Sequence, residues 1–124
     1  EANKLFGRLV TGKSCDTIDD GEAATLAYAI ENDVVAAVDD RKAVRIGQVH
    51  SSSLQTLSSI DILSRPELSA ELGKSNLARC VHNALFDARM SVTTEKHLDW
   101  LVDLLGQETL RKCRSIARYR RTRL

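Results

Sequence analysis

A chain of 124 residues can bury one core but is short for two independent ones, so a single domain over 1–124 is expected. An apolar fraction of 43%, one Pro and six Gly exclude a disordered or low-complexity chain, and aromatics at 4% leave the core to Leu, Ile, Val and Ala. The net charge of +1 conceals an asymmetry: seven of the 18 Lys and Arg residues lie between Arg111 and Arg123, with no Asp or Glu among them. The tail over 111–124 is therefore strongly basic and the body acidic, a distribution that suits either RNA phosphates or a solvated C-terminus.

Asp19-Asp20-Gly21-Glu22 is a turn and helix-start signal, with acids where the positive end of a helix dipole favours them. Ala23, Leu26, Ala27 and Ile30 then recur at helical spacing, which predicts a short helix to Asn32. Asn32-Asp33 breaks the pattern. The run Val34 to Val38 is continuously apolar and of strand length, which predicts a strand buried on both faces of a parallel sheet. It is too short to cross a bilayer, and no basic-then-apolar segment opens the chain, so a soluble protein without membrane contact is expected.

The run ends in Asp39-Asp40-Arg41-Lys42, and Ala43 to Gly47 continue as a brief helix. Leu54 to Leu63 has a mixed pattern that predicts a short strand or turn leading into a helix. Pro66 opens another helix, which Gly73 ends. Leu77, Val81, Ala84, Leu85 and Ala88 make a helical stripe reaching Met90. Ser91 to Thr94 offer caps for a helix built on Leu98, Leu101, Val102 and Leu105, with Gly106 as its stop, and Glu108 to Arg118 predicts a last helix.

The chemistry concentrates at the acidic strand end. Adjacent carboxylates at Asp39 and Asp40 repel unless solvent, the cations at 41 and 42, or a metal offsets them. The C-terminal edge of a buried parallel strand is where open α/β folds place ligands. An oxygen-only donor set suits Mg²⁺ or Mn²⁺ better than Zn²⁺. A solvated turn explains the same pair with no metal at all.

Elsewhere the residues read as structural. Cys15, Cys80 and Cys113 are odd in number and far apart, as expected of reduced thiols in a cytoplasm. His50, His82 and His97 have no ligand spacing, and Ser51 to Ser53 lack a paired base. Trp100 falls on the apolar side of its helix. Arg79 and Arg89 fit solvated helix faces better than a phosphate groove.

The stretch "DDGEAATLAYAIENDVVAAVDDRKAVRIG" resembles the PIN-domain nucleases, especially the bacterial and archaeal group with a "GEAEAIALA" helix and a "DDR" strand end. The likeness is densest over Asp20 to Gly47 and extends weakly through "LQTLSSIDIL". It implies an α/β, three-layer PIN-like fold, a parallel sheet flanked by helices, with a helix-rich C-terminal half. It further implies a metal-dependent ribonuclease, of the kind that serves as the toxin of a toxin–antitoxin pair. Glu22 and Asp40 would be catalytic metal ligands for Mg²⁺ or Mn²⁺, and Asp39 a neighbouring or alternate ligand. RNA would be the substrate, and an antitoxin protein or a second copy of the chain the partner.

Two departures qualify the match. Val38 stands where the family strand carries Thr, and no apolar strand ending in Asp precedes Gly21, Asp16 in "CDT" being too close to Glu22. The chain opens at Glu1, so the first strand and its acid are expected to be missing and activity impaired. A non-catalytic PIN-like module that binds protein or RNA is the rival expectation. A response-regulator type of phosphate-binding domain is a weaker one, since its later phosphoacceptor and Lys are not found.

Overall fold

The computed structural model describes residues 1–92 and 94–119, and these divide into two compact units, Glu1–Ser58 and a second beginning at Ser59. Each has its own apolar core, and the two cores share no residue.

In the first unit α1 (Ala2–Val10) packs on α2 (Asp20–Asn32), followed by β1 (Ala36–Ala37), α3 (Arg41–His50) and β2 (Thr56–Leu57). Leu9, Ala23, Leu26 and Ala43 are fully buried, with Leu5, Phe6, Ile18 and Ile30 packed around them. Small residues on α2 let its neighbours approach closely. Asp19 caps α2 by accepting from the Glu22 backbone N–H at 2.9 Å, and Asp33 ends it in the left-handed conformation that Asp tolerates. Asp40 caps α3 in the same way, accepting from the Ala43 N–H at 2.9 Å.

β1 and β2 pair in parallel, Ala36 opposite Thr56 and Ala37 opposite Leu57. The Ala36 N–H donates to the Gln55 carbonyl and the Val38 N–H to the Leu57 carbonyl, both within 3.0 Å.

The expected three-layer PIN-like α/β fold is overturned by this architecture. Among the described residues the sheet is two strands of two residues each, and helices supply most of the chain. The apolar run at 34–38 does not make a strand buried on both faces: Val34 and Val35 are nearly half exposed, and only Ala36 and Val38 turn inward. That is burial of one face, which alternation rather than a continuous run normally signals. The left-handed turn at Asp33 consumes the start of the run, so ladder pairing begins only at Ala36.

The second unit is helical: α4 (Ser59–Leu63), α5 (Pro66–Leu72), α6 (Lys74–Phe86), a 3-10 turn Glu95–His97, α7 (Leu98–Leu105), α8 (Gln107–Arg111) and a 3-10 segment Arg114–Tyr119. Ile60, Leu77, Val81, Leu85, Leu98, Leu101, Leu110 and Ile116 form its core. Gly73 and Gly106, with φ of 76° and 82°, join α5 to α6 and α7 to α8 in a conformation that favours glycine. The expected last helix breaks after Arg111 and resumes as the 3-10 segment. Thr94 makes no side-chain cap bond, and Thr93 lies outside the described residues. No described helix is long and apolar enough to cross a membrane.

Candidate functional site

Two helix N-termini meet the acidic residues of the first unit. Glu22 sits in the first turn of α2, where local capping by Asp19 fixes its backbone, and Asp40 precedes the first turn of α3. Burial raises the Glu22 carboxyl above its ordinary range, and the carboxylates of Asp19 and Asp40 raise it further. A hydrogen bond with the Asp19 region and the Lys42 ammonium pull it partly back. The geometry therefore brings Glu22 and Asp40, 18 positions apart in sequence, into one electrostatic cluster. Asp39 is half-buried beside Asp40 and has interactions of its own.

Asp19 and Lys42 belong to this cluster although neither stands out as a site residue in the sequence. Asp19 has the signature of an N-cap, and that is its visible role. Lys42 donates from Nζ to the Ser14 carbonyl, pinning the loop before α2 to the first turn of α3. It also lies close enough to Glu22 for its ammonium to offset part of the rise in that carboxyl.

Each capping Asp uses Oδ1 for its helix, and Oδ2 of each makes no hydrogen bond among the described residues. No group of three or more His, Cys, Asp and Glu side chains among the described residues is placed to enclose a metal. Carboxylate oxygens are the donor type that Mg²⁺ takes, one or two from the protein beside several waters. The chain matches no family model, no curated protein and no solved structure. The likeness to PIN-domain nucleases thus rests on the motif residues themselves.

The remaining candidates disperse. His50 is exposed on the last turn of α3, and His82 stacks on Phe86 with centroids 4.4 Å apart. His97 is partly buried against Asp61, with Nε2 2.8 Å from Oδ1, and meets Trp100 edge-on. Lys96 also pairs with Asp61. Sequence spacing held no signal for this second polar cluster, since its members lie 36 residues apart. Of the basic tail, Arg111, Lys112, Arg114 and Arg118 are described, while Arg120, Arg121 and Arg123 lie outside the described residues.

Proposed function

We propose that this chain carries part of a divalent-metal-dependent ribonuclease site, with Glu22 and Asp40 as ligands of Mg²⁺ or Mn²⁺ and Asp39 as a neighbouring donor. The observation that supports this most is the grouping of Glu22 with Asp19 and Asp40: burial first, and then these two carboxylates, raise the Glu22 carboxyl, and Lys42 offsets them in part. A cation held there would relieve that repulsion. When bound, such an ion polarises the phosphate and supplies hydroxide at neutral pH. The protein's own part is to hold the two carboxylates at the N-terminal ends of α2 and α3. The motif likeness over Asp20 to Gly47 carries the rest of the proposal: RNA as substrate, a cytoplasmic location and an antitoxin protein as partner.

Cleavage of a labelled RNA in Mg²⁺ or Mn²⁺, compared among the wild type, Glu22→Gln and Asp40→Asn, tests this reading. Loss of cleavage in both variants is the expected result. Cleavage that proceeds unchanged in either refutes the assignment.

A second reading is a non-catalytic module that binds RNA or protein. It is favoured by the capping duty of Asp19 and Asp40 and by the lack of an enclosing three-carboxylate group among the described residues. RNA that is retained but left intact in either metal identifies this alternative.

A further inference from the structure

In the second unit the end of α6 and the start of the last 3-10 segment border a wide-mouthed cavity of about 590 Å³, lined by Leu85, Phe86, Arg89, Lys112, Arg114 and Ser115. The Ser115 hydroxyl donates to the Leu85 carbonyl at 3.4 Å, tying the two walls together. Three cations thus share one cavity, with no carboxylate among its described lining residues. Four other cations of this unit are engaged: Arg79 with Asn76, Lys96 with Asp61, Arg111 with Glu108 and Arg118 with the Val92 carbonyl; Arg65 and Lys74 are not, among the described residues, but neither lines the cavity. Arg89, Lys112 and Arg114 make no ion pair or side-chain hydrogen bond among the described residues.

Arg89 is also held with a φ of 53°, in the left-handed region that a long side chain rarely adopts. It sits in a tight reversal after α6, where the Met90 N–H donates to the Ala84 carbonyl at 2.7 Å. Backbone conformations of this kind collect where a side chain has to be aimed. Phe86 is the partly exposed apolar residue of the lining, steadied by its stack on His82, while Leu85 is almost wholly buried.

We propose that this cavity binds a nucleoside phosphate, its phosphate on Arg89, Lys112 and Arg114 and its base against Phe86. Guanidinium groups take phosphate oxygens in pairs, lysine adds a point charge, and an aromatic face accepts any base. The cavity's size falls in the range usual for small-molecule sites. A free nucleotide and a terminal nucleotide of an RNA strand present the same chemistry. Binding here does not involve Glu22 or Asp40.

Titration calorimetry on the full chain with AMP, adenosine and a 5′-phosphorylated RNA hexamer tests the assignment. One site per chain is expected for AMP or the hexamer, with adenosine weaker by about tenfold or more. Binding of AMP identifies a free nucleotide as sufficient; binding of the hexamer alone identifies a strand end. Arg89→Gly, which suits the left-handed backbone, should lower affinity about tenfold without lowering the melting temperature, and Lys112→Gln with Arg114→Gln should do the same to affinity. Arg79→Gln, a charge change outside the cavity, should leave affinity unchanged. The proposal is overturned if adenosine binds as tightly as AMP, if neither phosphorylated probe binds, or if Arg79→Gln weakens binding as much as the cavity variants.

Discussion

His97 Nε2 lies 2.8 Å from Asp61 Oδ1, and both side chains are nearly buried, so one carboxylate of α4 anchors the turn that begins α7. Lys96 reaches the same oxygen from its exposed position. Asp61→Ala leaves the imidazole without this partner and is expected to cost about 1–3 kcal/mol, while Asp61→Asn, which still accepts a hydrogen bond, costs less. Urea unfolding of the two variants checks the order. Equal losses in both would show that the contact is charge alone.

Glu22 carries a pH signature. Its carboxyl titrates above the ordinary 4.5 in the folded chain, so just above that pH the folded state keeps a proton that the unfolded state has released. Its contribution to stability is therefore greatest below 4.5 and is lost as pH rises through the raised value. Glu22→Gln should match the wild type in acid and exceed it at neutral pH, as read from melting temperatures across the range. Added Mg²⁺ should narrow the neutral-pH gap if the acids hold the ion.

Asp40 has two separable duties. Asp40→Ala removes the cap on α3 and is expected to cost about 1 kcal/mol, whereas Asp40→Asn keeps a capping oxygen and stays within a few tenths. Both should abolish metal-dependent RNA cleavage. Denaturation midpoints measured beside cleavage rates separate helix capping from metal binding in the same pair of variants.

Two helical glycines should respond in opposite directions. A Cβ on Gly7 meets nothing within 4 Å, so Gly7→Ala is expected to gain about 0.5–1 kcal/mol through helix propensity. A Cβ on Gly47 would come 2.7 Å from the Leu54 side chain and 3.2 Å from that of Leu26. Both leucines are packed in the core, so overpacking of about 1–3 kcal/mol outweighs the propensity gain, and Gly47→Ala should destabilise. Thermal melts of the two variants decide the signs.

Local punctuation made several helices legible in the sequence. Asp19 and Asn32-Asp33 bracket α2, Pro66 and Gly73 bracket α5, and Gly106 stops α7 where expected. α1 went unforeseen even though Leu5, Phe6, Leu9 and Val10 form an apolar face, because the opening segment has no capping residue to announce it. The sheet is smaller than the run at 34–38 suggests, because five consecutive apolar residues do not distinguish a doubly buried strand from a turn leading into two paired residues. For the candidate site, the sequence placed Glu22 and Asp40 through a motif. What brings them close is the packing of α2, β1 and α3, which no local pattern encodes. The cluster at Asp61 and His97 and the cavity at Arg89 and Arg114 arise from contacts between distant segments of the second unit.

The separate cores have a consequence for how the chain opens. Each unit of about 60 residues lies near the lower size limit for burying enough apolar surface to fold alone. Amide hydrogen exchange should therefore sort the slow protons into two sets, one around Leu9, Leu26 and Ala43 and one around Val81, Leu101 and Ile116, each with its own opening free energy. A ligand in the cavity of the second unit would slow exchange in that set first, so the protection pattern itself would reveal which half of the chain has been occupied.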